Sequence, residues 1–102
     1  MSATEIDYPL LNSCLRSAPT AWEDFVDRFM GLVLHVIDQT MAIRRLTITS
    51  SERVDLCEAV FRALRYNNYE LLRDFDQKSL LSTWLVVMTR RLVVAFLLYD
   101  DH

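Results

Sequence analysis

The chain has 102 residues, of which 52% are hydrophobic and 25% charged, so it has room for one domain with a core just large enough to fold alone. That balance excludes a disordered acidic or low-complexity chain, because enough apolar side chain is available to offset chain entropy. A formal net charge of -3 excludes general attraction to nucleic acid and leaves any DNA contact to a local patch.

One Gly and two Pro, with Pro9 and Pro19 both ahead of the first long periodic segment, favour long helices over sheets. Residues 1–18 mix polar positions with Ile6, Tyr8, Leu10, Leu11 and Leu15, which predicts a short helix or an arm docked on the body. The start of the chain is polar and acidic and lacks the pattern of an export signal, so the expected location is the cytoplasm.

From residue 19 onward the pattern predicts one helical domain. Thr20-Ala-Trp-Glu23 reads as a capping box, in which Thr20 and Glu23 satisfy each other's free backbone N–H groups. Trp22, Phe25, Val26, Phe29, Val33, Val36 and Ile37 then recur at helical spacing and define a core face, with His35 among the polar positions. Met41–Ser51 is a connector ending in a second cap signal, Thr49-Ser-Ser-Glu52.

The next helix carries two stripes. Val54, Cys57, Val60, Phe61 and Leu64 form an apolar one, while Asp55, Glu58, Arg62 and Arg65 form a charged ridge at spacings of three and four. Taken alone, such a ridge is also what a solvated helix face with internal pairing of Glu58 to Arg62 would show. Asn67-Asn68 interrupts the pattern, and Tyr69, Leu72 and Phe75 predict a short third helix before a loop at Asp74–Lys78.

Ser79 is placed to cap the last helix, whose core face is expected to be Leu81, Trp84, Leu85, Met88, Leu92, Ala95, Phe96 and Tyr99. Val86, Val87, Val93, Val94, Leu97 and Leu98 lie around the rest, so the helix is apolar nearly all round. Such a helix is central in its bundle or covered by something else, and Val93, Val94, Leu97 and Leu98 are the expected protein-interaction surface. Arg90 and Arg91 in its middle argue against a membrane span, each costing roughly 2.5–3.5 kcal/mol there. About a hundred degrees apart on the helix, they are expected to face different partners, one of them pairing with an acid of the domain.

No metal or cofactor is expected: Cys14 and Cys57 belong to no CxxC and have only His35 and His102 for company. Nor is an enzyme, since the chain lacks a Gly-rich phosphate loop, a HExxH, a nucleophile elbow or a carboxylate pair that stands out from surface charge.

Asp55-Leu-Cys-Glu-Ala-Val-Phe61, then Leu71-Leu-Arg-Asp-Phe-Asp76, then Ser79-Leu-Leu-Ser-Thr-Trp-Leu85 and Thr89-Arg-Arg-Leu92 follow one another in the order and spacing of a known text. The run resembles region 2 of the bacterial ECF-type (extracytoplasmic function) sigma factors, where the corresponding pieces read D-L-x-Q-E-x-F, a short helix ending in F-D, S-x-x-T-W-L and A-R-R-L. With the Trp22–Ile37 segment it covers about three quarters of the chain.

The resemblance implies an all-α bundle of about four helices. It implies a transcription-initiation role in which Asp55, Glu58, Arg62 and Arg65 dock on the clamp helices of the polymerase β′ subunit. Lys78, Ser79, Ser82, Thr83, Trp84, Arg90 and Arg91 would meet the melted −10 strand of the promoter, and an anti-sigma or regulatory protein is a further implied partner.

Two departures bear on function. Glu58-Ala59 stands where the family has Gln-Glu, and the closing Ala95–Asp101 run replaces the family's further arginines. Across residues 73–102, Arg73, Lys78, Arg90 and Arg91 are balanced by Asp74, Asp76, Asp100 and Asp101, so promoter binding by this chain alone is expected to be weak. The alternative expectation is a sigma-like interaction module that binds a protein, or its own copy as a homodimer, through Leu92–Tyr99 and touches no DNA.

Overall fold

The structure is a computed structural model that describes the backbone of residues 3–99 and the side chains of residues 6–99. Four helices run in chain order: α1 (Ala3–Leu15), α2 (Ala21–Ile43), α3 (Ser50–Arg73) and α4 (Leu81–Tyr99). No strand occurs among the described residues, and the fold is an all-α bundle of four helices. The Asp100-Asp101 pair and His102 lie outside the described residues.

α2 is the central element and packs against all three others, which follows from its single uninterrupted apolar face. Phe25, Phe29, Val33 and Ile37 are buried along that face and meet Leu11 and Cys14 of α1, Val60 and Leu64 of α3, and Leu81 and Leu85 of α4. The N-terminal segment is thus a helix. Its buried Asp7 accepts a 3.0 Å bond from Arg28 Nε, tying α1 to α2.

The two cap signals part company. Thr49 and Glu52 form the capping box at α3, with Glu52 N–H donating to Thr49 Oγ1 at 3.1 Å and Thr49 N–H to Glu52 Oε1 at 2.9 Å. Thr20 forms none: its backbone is left-handed at φ 62°, which turns the hydroxyl away from the first free N–H groups. Nor does Ser79 cap α4, because the helix begins at Leu81 and Leu80 stands in the cap position.

α3 is broken where Asn67-Asn68 indicated. Asn67, Asn68 and Tyr69 adopt left-handed angles, φ 54°, 57° and 62°, and the chain resumes a helical track to Arg73. Asn accepts that conformation readily and Tyr does not. Burial of the Tyr69 ring against Trp22, with centroids 5.7 Å apart, offsets its cost. Arg73 fixes the bend by donating to Asn68 O and to Leu15 O, both at 2.8 Å.

Three apolar positions are not where periodicity put them. Val54 is half exposed rather than core. In α4 the fully buried line is Leu81, Leu85, Thr89 and Val93, and Tyr99 is 79% exposed. Steps of four residues overshoot a full turn by about 40°, so this line drifts around the helix and carries the buried side toward Val93 and away from Tyr99. Thr89 is drawn into the core by the same drift, and its hydroxyl has no hydrogen-bond partner there.

Candidate docking ridge and strand-capture corner

Asp55, Glu58, Arg62 and Arg65 are all exposed, on the flank of α3 turned away from the buried Cys57, Val60, Phe61 and Leu64. The spacing makes this unavoidable, since the two sets are centred more than a third of a turn apart. Among the described residues the ion pairs are Arg28 with Asp7 and Arg53 with Asp38; none joins two members of the ridge. Glu58 therefore does not neutralise Arg62, and the charges stand free for another molecule.

The ridge is also held in place. Arg65 lies over the Trp22 ring at 5.5 Å, and Trp22 is itself stacked on Phe25 at 5.5 Å and set edge-on to Phe61 at 6.1 Å. At the other end of α3, Arg53 makes a fork of two bonds, 2.8 and 2.9 Å, to Asp38 of α2. Glu58, Arg62 and Arg65 border a groove of about 310 Å³ between α2 and α3 that is otherwise lined by Trp22, Val26, Met30, Cys57 and Phe61. A docking helix would find charge and apolar surface side by side.

The loop corner before α4 has a second set of groups. Lys78, Ser79 and Thr83 are exposed, and Ser82 and Trp84 half-buried. Lys78 N–H donates to Asp76 Oδ1 at 3.0 Å, and the Tyr8 hydroxyl donates to Ser79 O, so the corner is pinned from its own loop and from α1. Trp84 packs on Phe75 at 5.6 Å and Phe75 on Tyr8 at 5.9 Å. Trp84 is thus part of an aromatic row, with a margin left open. Tyr8 had no sequence signal for this role, because it stands 71 positions from the carbonyl it binds.

Arg90 and Arg91 do not join that corner. Seven residues of helix separate them from Thr83, about 10 Å along α4. Contrary to the divergence expected of adjacent helix positions, both are exposed and both border one depression, with Val94, Ala95, Leu98 and Tyr99. Neither pairs with an acid among the described residues.

Of the expected interaction surface, Leu98 is 63% exposed and Val94 and Leu97 are half-buried. Val93 is fully buried and is removed from that surface, for the helical drift described above. α4 is long and apolar enough to cross a membrane by length and composition, with mean hydropathy 1.7, and it carries its two arginines on the outward side.

The thiols are poor nucleophiles. Burial, then the nearby Asp24 carboxylate, pushes Cys14 up to about 11, and its Sγ donates to Ala21 O at 3.3 Å. Burial also raises Cys57. Among the described residues no three His, Cys, Asp or Glu side chains gather as a metal site would need. No protein-family model, curated protein or solved structure matches the chain.

Proposed function

We propose that this chain is a transcription-initiation domain of the ECF sigma type. It docks on the clamp helices of the RNA polymerase β′ subunit through Asp55, Glu58, Arg62 and Arg65 and offers the Lys78–Trp84 corner to an unpaired promoter strand. The observation that carries this reading is the ridge: two acids and two bases in one row on an outer helix flank, unpaired with one another and beside an apolar groove. Complementary charge of this kind fixes the register of a docked helix more than it adds affinity.

The corner supports the second half of the reading. A cation at Lys78, hydroxyls at Ser79, Ser82 and Thr83, and the open margin of Trp84 are the chemistry that a splayed base and its phosphate require. With Arg90 and Arg91 a separate patch, the cation density at the corner is low, so strand affinity is weak and falls further as salt rises. The domain therefore acts on DNA that the polymerase already holds.

Capture of the chain by isolated β′ clamp helices tests the proposal. Charge reversal at Asp55 and Arg62 should abolish capture while the helical circular dichroism stays intact; capture that is absent in the parent chain, or indifferent to both reversals, refutes it. A titration with a fluorescently labelled single-stranded −10 oligonucleotide at two salt concentrations, beside a Trp84→Ala variant, tests the corner.

A second reading rests on α4, whose outer face keeps Val87, Leu98 and Tyr99 exposed. On that reading the chain is a sigma-like interaction module that binds protein and not DNA, and a β′ result that is negative alongside robust self-association would select it.

A further inference from the structure

Two surfaces that meet at Tyr99 carry opposite charges. On one side, the N-terminal turns of α3 and the end of α4 enclose a groove of about 430 Å³, lined by Ile48, Leu56, Phe96 and Leu97 and by the acids Glu52 and Asp55. On the other, the outer face of α4 holds the depression lined by Arg90, Arg91, Val94 and Leu98. Tyr99 lines both, and it and Leu98 are the most exposed large apolar side chains of α4, at 79% and 63%.

Each surface has what the other lacks. Within one molecule they cannot meet, because they lie on different sides of α4; among the described residues no ion pair joins Arg90 or Arg91 to Glu52 or Asp55. Glu52 gives one carboxylate oxygen to the α3 cap and keeps the second free. Glu52 is thus fixed in place, and the countercharges of the two acids sit on the neighbouring face of the same chain.

The geometry points to a second copy of this chain as the occupant of the groove. Leu98 and the α4 arginines of one copy would enter the acidic groove of the other, about a two-fold axis passing near Tyr99. Because the two surfaces adjoin, both contacts form at once across that axis and the pairing closes on itself; a head-to-tail arrangement of distant patches would instead propagate into a filament. The core of the contact is apolar and its margin is charged, as in other protein interfaces. This inference goes beyond the polymerase-docking reading and does not depend on it; the two share only Asp55, so pairing and docking compete for that flank.

Sedimentation velocity of the purified chain, from low micromolar to near-millimolar concentration, tests it. The parent chain should pass from the mass of one copy to that of two. Leu98→Asp should weaken association by at least about tenfold, as loss of a central apolar contact does. Arg91→Glu and Asp55→Arg should each weaken it by roughly threefold to fivefold, and the two together should recover most of the loss.

A single-copy mass throughout, assembly indifferent to Leu98→Asp, a charge swap that recovers nothing, or growth beyond two copies would each overturn the proposal. Leu98 is exposed, so the variant should keep its fold, and the charge swap tests the same contact without it. Leu98 also lies outside the α3 ridge, so capture by β′ clamp helices should survive its replacement, which separates failure of this inference from failure of the docking proposal.

Discussion

α2 and α3 both begin at a Thr-x-x-Glu sequence, and the two starts are built in opposite ways. At α2 the cap is unused, and the start is held by long-range contacts: the buried Asp7 with Arg28, the Cys14 thiol on Ala21 O, and Arg73 on the Leu15 carbonyl. At α3 the cap is complete, and among the described residues the side-chain hydrogen bonds from its first turns to another helix are those of the exposed Arg53–Asp38 fork. Where packing already dictates how the chain turns, a local signal is dispensable. Where the turn lies in water, the local signal sets the helix.

Replacing Arg28 should therefore have the largest effect on stability. Its partner Asp7 is only 3% exposed, so Arg28→Ala leaves a buried carboxylate without its cation, at a cost of about 3 kcal/mol. The double variant Asp7→Leu with Arg28→Met should recover most of that, because the penalty belongs to the orphaned charge. The equivalent change at α3, Arg53→Ala, breaks an exposed pair and should cost no more than about 0.5 kcal/mol. Chemical denaturation of the three variants measures the contrast, and equal losses at the two arginines would dissolve it.

The caps come next. Thr49→Ala should cost about 1 kcal/mol by removing the acceptor for Glu52 N–H. Thr20→Gly should do the reverse and stabilise by a few tenths of a kcal/mol, since Thr20 makes no cap bond and its φ of 62° is one that Gly adopts without steric cost. Loss of stability at position 20 would mean that the hydroxyl serves a purpose the structure does not display.

The same division explains what could be read without coordinates. Helix number, the α2 core face, the α3 ridge and the break at Asn67-Asn68 were legible, because each is written in spacing or in residue types with a strong backbone preference. The failed cap at Thr20, the buried Val93 and the corner pinned by Tyr8 were not. All three depend on where a distant helix lies: α1 and α2 take over the work of the cap, the packing of α4 on its neighbours selects its buried line, and Tyr8 reaches Ser79 from the other end of the chain. The proposed functions divide in the same manner, with the ridge visible in one helix and the α3–α4 groove visible only once two helices are assembled.

Acid should expose the smallest difference. Hydrogen bonding from Thr49 holds Glu52 below its ordinary value of 4.5, and the bond from Arg53 holds Asp38 below its ordinary 3.8. Both are carboxylates depressed on folding, so each contributes stability that is fully present above its unfolded value and lost as pH falls through the lower, folded one. The window is therefore below pH 4.5, and neutral pH is a plateau for these two groups. Both are solvent-exposed, which keeps the slope shallow. Glu52→Gln should remove the part of the acid slope that belongs to Glu52, because the backbone N–H that bonds its carboxylate survives any change of the Thr49 side chain, and Arg53→Met should flatten the part that belongs to Asp38. Urea midpoints measured between neutral pH and the acid limb check this: a slope unchanged in both variants would show that the exposed start of α3 carries no acid-sensitive stability, and that its cap acts through geometry alone.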